Sequence, residues 1–152
     1  MAYIIQLETT TKQCSVALSY KGNCISKKVL LAEHFSHDEK LHVFIREVLQ
    51  EASVGFSELD AVSISKGPGS YTGLRIGVAA AKGLCFALDL PLIGIHTLEL
   101  MVQPFIGKAE YAFFIPMLDA RRMEVYTAVF DNSKTWIQET NALVLEAQSF
   151  YD

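Results

Sequence analysis

No stretch of the chain approaches the ~18 consecutive apolar residues that a membrane-spanning helix needs, so a transmembrane role drops out first. Cysteine is scarce. Cys14, Cys24 and Cys85 are odd in number and form no Cys-x-x-Cys pair, which removes a disulfide framework and a zinc knuckle and leaves reduced, mostly buried thiols. Positive charge is in deficit: 13 Lys and Arg against 17 Asp and Glu give a net charge of −4. No global field therefore attracts a polyanion, and direct nucleic-acid binding by the chain alone is disfavoured. Met1 leads straight into Tyr3-Ile4-Ile5-Gln6-Leu7 without a basic segment ahead of a long apolar run, which is not a signal-peptide pattern. These absences predict a cytoplasmic protein.

What is present is apolar substance. The 152 residues, 51% of them apolar, suffice for a domain with a real core and leave a surplus that permits an exposed patch.

The most informative stretch is Ser65-Lys66-Gly67-Pro68-Gly69-Ser70-Tyr71-Thr72-Gly73-Leu74-Arg75-Ile76-Gly77, at the junction of a strand and a helix. Glycine-rich turns in that place invite phosphate, because the backbone can approach the ligand and the helix N-terminus offers unpaired N–H groups. The spacing nevertheless fits neither phosphate fingerprint. A P-loop needs Lys directly after its last glycine, whereas Gly73 is followed by Leu74 and Arg75. The dinucleotide fingerprint needs two residues between its second and third glycines, and Gly69 and Gly73 are separated by three.

With Ser70 as N-cap, Gly73, Gly77, Ala81 and Cys85 recur every fourth residue along one helix face. Leu74, Ile76, Val78, Leu84, Phe86 and Leu88 occupy the other faces and are expected to bury most of the helix. Two readings of the small-residue stripe stand: it seats the helix on its own sheet, or it docks a partner helix.

Periodicity places strands at residues 3–8 and Cys14–Ser19, and a third from Lys21-Gly22-Asn23 to about Leu31. Ser36 and Glu39 form a capping box ahead of an amphipathic helix carrying Leu41, Phe44, Ile45, Val48, Leu49 and Ala52. Ala61–Ser65 reads as a strand, the glycine turn opens a helix to about Leu88, Pro91–Ile95 is a strand, and Thr97 to about Phe105 is a helix. That order predicts a mixed sheet covered on its faces. An echo of the beginning follows: Ile115-Pro116-Met117-Leu118-Asp119 resembles Ile4-Ile5-Gln6-Leu7-Glu8, and Thr127-Ala128-Val129 follows Asp119 as Val16-Ala17-Leu18 follows Glu8.

A duplicated unit of this kind resembles the actin, Hsp70 and sugar-kinase superfamily. Three motifs narrow the resemblance: Leu7-Glu8-Thr9-Thr10-Thr11 with Cys14-Ser15-Val16-Ala17-Leu18, the stretch from Gly67 to Gly77, and Asp119-Ala120-Arg121 with Glu124-Val125-Tyr126. They are similar to those of the TsaB (YeaZ) family of bacterial threonylcarbamoyladenosine biosynthesis proteins, which is glycoprotease-like.

The resemblance implies an α/β, actin-like ATPase (ribonuclease H-like) fold. It would have a mixed five-stranded sheet with helices in an N-terminal lobe, residues 1–108, and an apparently truncated second lobe, residues 109–152. It also implies a noncatalytic scaffold for the paralogue TsaD, which carries the metal, the nucleotide and the transfer of threonylcarbamoyl to tRNA. The ATPase TsaE joins that complex, tRNA is met only indirectly, and isolated chains pair with themselves.

Family pairing runs through the helices at residues 36–52 and 71–88. The interface residues implied are Leu41 and Ile45 from the first helix, and Gly69, Tyr71, Gly73, Arg75, Gly77 and Ala81 from the second and its turn. On that expectation Gly77→Leu breaks pairing and leaves the lobe folded. The alternative within the superfamily is an active ATP-dependent transferase or metalloprotease.

The residues favour the noncatalytic side. The paralogue's His-x-x-x-His metal pair would fall on Thr97 and Met101, neither a convincing ligand for a hard or borderline cation. His96 reads as a helix-start or buried residue, and His34, His37 and His42 as a solvated surface. Where the superfamily places an Asp before a glycine-containing phosphate turn, this chain has Glu8 with Thr10 near the glycine's place. Weak ATP or ADP binding with magnesium is the most that Glu8, Thr10 and Thr11 would support, and no cofactor is required. Asp119, Arg121, Arg122 and Glu124 read as a polar turn between strands.

Overall fold

The computed structural model describes residues 1–31, 37–108 and 110–149, with His37 and Asp38 as backbone only. Ser36 and His34 lie outside the described residues, as does the His37 side chain. The chain divides into two compact units, Met1–Ile95 and His96–Asp152. That division falls ahead of the residue 108/109 boundary read from sequence.

The first unit begins with β1 (Tyr3–Glu8), β2 (Gln13–Tyr20) and β3 (Asn23–Leu31), an antiparallel meander. Then come α1 (His37–Glu51), β4 (Ala61–Ser65), α2 (Tyr71–Leu88) and β5 (Leu92–Ile95). β4 and β5 add parallel strands, giving a mixed five-stranded sheet in the order β3-β2-β1-β4-β5. A parallel addition requires a crossover, and α2 is the crossover from β4 to β5.

Alternation decides which sheet face is core. Ile5 pairs with Leu18 and Val62, and Leu7 with Val16 and Ile64, so one face carries a continuous aliphatic layer. α1 covers it over β2 and β3 with Leu41, Ile45, Val48 and Leu49, while α2 covers β4 with Ala80 and Ala81. Each buried aliphatic side chain of this size contributes roughly 1.5–3 kcal/mol relative to exposure.

The second unit starts with α3 (Thr97–Val102), which tightens into a 3-10 turn at Gln103–Phe105, where Pro104 lacks the N–H an α-helix would use. Its sheet is a short strand β6 (Phe113–Phe114), then β7 (Met117–Arg121), β8 (Glu124–Asp131) and β9 (Trp136–Val144), with β8 paired to the other three. Leu98 and Val102 of α3 pack on Ala128 and Phe130, flanked by Leu118 and Trp136.

The echo in the sequence is an echo in space. β7, β8 and β9 repeat the antiparallel meander of β1, β2 and β3, with Asp119 across from Val125 as Glu8 is across from Ser15. Asp119 caps the turn by accepting from the Arg121 N–H at 2.7 Å. Arg121, Arg122 and Met123 then reverse the chain at φ of 69°, 56° and 61°, so the polar-turn reading of this cluster matches its hairpin tip.

Candidate functional site

Two turns meet at the C-terminal ends of β1 and β4, where folds of this topology place a ligand. From β1 come Glu8, Thr9 and Thr10; from β4 come Ser65 and then the turn to Ser70, the α2 N-cap, whose hydroxyl accepts from the Gly73 N–H at 3.2 Å. The polar groups there are already paired with one another. One Glu8 carboxylate oxygen accepts from the Thr10 N–H at 2.7 Å and the Thr10 hydroxyl at 2.5 Å, and the other accepts from the Ser65 hydroxyl. The Thr10 carbonyl accepts from the Ser70 N–H at 2.6 Å.

A phosphate cradle needs free N–H groups and room. Here the Thr10 N–H faces a carboxylate, the Ser70 N–H is spent on Thr10, and a Cβ built on Gly69 would lie 2.5 Å from the Thr10 Cβ. The space that glycine would open to a phosphate is filled by the Thr10 side chain, itself buried. Glu8 and Thr10 therefore do not offer the free donors and open space that a phosphate turn needs, and Thr11 is exposed with its hydroxyl accepting from the Gln13 N–H at 3.2 Å. Among the described residues no group of three His, Cys, Asp or Glu side chains is placed to hold a metal. Thr97 is buried on α3, Met101 is partly exposed, and the His96 ring meets the Trp136 ring edge-on at 5.3 Å. Burial pushes the Cys14 and Cys85 thiols up, so neither is an activated nucleophile.

The small-residue stripe of α2 faces inward, which corrects its reading as a partner contact. Thr9, completely buried, donates its hydroxyl to the Gly73 carbonyl at 2.8 Å. A side chain at Gly77 would collide with that same Thr9 oxygen and press on Ile64 at 3.1 Å. Ala81, Leu41 and Ile45 belong to the aliphatic core for the same reason: they lie on the sheet side of their helices. Gly73, Gly77, Ala81, Leu41 and Ile45 thus seat the helices on their own sheet. It follows that Gly77→Leu strikes the lobe's interior, not a partner.

Tyr71 and Arg75 fall on the other side. Tyr71 is 74% exposed, with the Arg75 guanidinium 5.6 Å from its ring centroid. The same outer face continues through Ala79, Lys82 and Gly83 to Phe86, which is 93% exposed, against the expectation that it is buried. A Cβ at Gly83 would meet nothing within 4 Å. Thr72, Ala79 and Phe86 stand seven residues apart, a spacing that keeps one helix face and was there to be read.

The fold is that of the actin-like, ribonuclease H-like class, with its first phosphate turn filled. A family model described as "TsaD: tRNA N6-adenosine threonylcarbamoyltransferase" matches residues 32–147. The TsaB protein of Haemophilus influenzae is 36% identical over 123 residues, covering 81% of this chain and 51% of that protein. Its Escherichia coli counterpart is 30% identical over 151 residues, covering 98% of this chain and 64% of that protein. The YeaZ structure from Pseudomonas aeruginosa superimposes with a TM-score of 0.85 at 29% identity, covering 97% of this chain and 69% of that one. The chain belongs to the TsaB (YeaZ) group of this family. It spans between half and two thirds of the length of the two TsaB relatives, 51% and 64%.

Proposed function

We propose that this chain is a noncatalytic partner subunit in tRNA threonylcarbamoyladenosine biosynthesis, docking on a transferase of the TsaD class. The observation that carries the reading is the outer face of α2: an aromatic at 93% exposure beside small residues, on a helix whose other side packs on the core. With Tyr71 and Arg75 on the same face, Phe86 is suited to anchor a protein contact. The relatives named for the pathway supply the partner class.

The self-paired Glu8–Thr10–Ser65 cluster supports the noncatalytic half of the reading, with no nucleotide or metal required of this chain. The transferase then provides the chemistry, TsaE joins through the complex, and tRNA is reached only through those partners. In isolation the same face pairs two copies of the chain. The setting is the cytoplasm; no helix among the described residues is long and apolar enough to cross a membrane.

Size-exclusion chromatography with the transferase of the same organism tests the pairing. Co-elution at micromolar concentration is expected; separate elution overturns it. Calorimetry tests the rest, since tight ATP binding by the chain alone would return it to the active members of the superfamily.

A further inference from the structure

Thr9 is a polar side chain with no exposure, and α2 supplies two of the groups against it. Its hydroxyl donates to the Gly73 carbonyl at 2.8 Å, and one turn further along, Gly77 has no room for a side chain against the same oxygen. Hydrogen-bond geometry is steep in distance and angle, so this pair fixes the height and rotation of the helix at that point.

The turn that holds Thr9 is itself anchored. Glu8 ties to Ser65 across the sheet, Thr10 ties to Glu8, and the Thr10 carbonyl ties to Ser70 at the helix N-cap. Thr9 is thus the buried polar contact among those that reference α2 to β1 and β4, beside the apolar packing of Ala80 and Ala81. On the opposite side of that helix stand Tyr71, Arg75 and Phe86. Phe86 is nine residues beyond Gly77, about 14 Å along the axis at ~1.5 Å per residue, so a small tilt about the Thr9 contact displaces it more than it displaces Gly73.

We propose that Thr9 is the positioning residue of the docking face: it never reaches the partner, yet it sets where Tyr71, Arg75 and Phe86 are presented. The inference rests on the docking reading above. It assigns to the turn after β1 a mechanical role in the place where a phosphate would otherwise bind.

Titration calorimetry against the TsaD-class transferase, run well below every variant's melting midpoint, tests it. There, lost stability alone leaves the folded fraction, and hence the affinity, unchanged. Thr9→Val, which keeps the shape and loses the donor, is expected to bind roughly fivefold more weakly, and Thr9→Ser, which keeps the donor, within about twofold of the parent. Thr9→Val binding like the parent, with Phe86→Asp weakened, overturns the inference and leaves the docking reading intact. Equal losses for Thr9→Val and Thr9→Ser overturn it too, since packing rather than the hydrogen bond would then be responsible. Parental binding by Phe86→Asp removes the docking reading and this inference with it. Should Thr9→Val not fold, Gly77→Ala pushes the helix off the same Thr9 oxygen from the helix side: weakened binding supports the inference, and parental binding overturns it.

Discussion

Gly69 and Thr10 touch with no space for a side chain between them: a Cβ on Gly69 would lie 2.5 Å from the Thr10 Cβ and 2.6 Å from its carbonyl oxygen. Neither atom is the end of a flexible chain, so backbone must move to relieve the contact. Gly69→Ala is expected to cost about 1–3 kcal/mol, the range for overpacking a tight contact. Urea denaturation checks this, and an unchanged midpoint would show that the two turns are not locked.

The lock has a binding consequence. With the Thr10 and Ser70 N–H groups paired internally and a carboxylate beside them, ATP with magnesium should give no measurable heat with the isolated chain. Thr10→Gly clears the obstruction but leaves the Glu8 charge, so it should still bind poorly. Micromolar binding by the parent chain would refute the self-paired arrangement in solution.

Gly77→Leu separates the inward and outward readings of α2. Its side chain would meet Thr9 and Ile64 inside the lobe, so the expected result is loss of cooperative folding by circular dichroism, with partner binding lost as a by-product. A folded, partner-defective variant would restore the stripe to the surface.

Asp131 sets the tip between β8 and β9. Its carboxylate accepts from the Ser133 and Thr135 N–H groups, both at 2.8 Å, and these bonds, the Thr135 one foremost, hold its pKa below the ordinary carboxylate value. A depressed native pKa stabilises above the unfolded value and is lost as pH falls through the folded one. Asp131→Ala should therefore lower the melting midpoint at neutral pH, and the difference from the parent should vanish in acid below the ordinary carboxylate range. A difference that persists there would assign the effect to packing.

Much of this could be read from the chain. β1 and β2 declare themselves by alternation, α1 by apolar spacing, and the glycine turn by composition, because each is a local pattern with one physical solution. What could not be read was orientation. Gly73, Gly77 and Ala81 make a stripe whichever side they face, and only the pairing of Leu7 with Ile64, which sets Thr9 beneath α2, turns it inward. Phe86 reads in sequence as one of the apolar residues that bury the helix, yet it is 93% exposed. Its neighbours Lys82 and Gly83, and the sevenfold spacing from Thr72, carried the contrary signal. The filled phosphate turn was half legible: the Glu and Thr substitutions show in sequence, but the bonds from Glu8 to Thr10 and Ser65 join residues as far as 57 apart.

The most direct test of the central claim is sedimentation of the chain mixed with its TsaD-class transferase, using the parent and Phe86→Asp. The parent is predicted to form a complex, and the folded Phe86→Asp variant to sediment separately. A complex formed equally well by both, or by neither, would contradict the claim that the outer face of α2 is where this subunit docks.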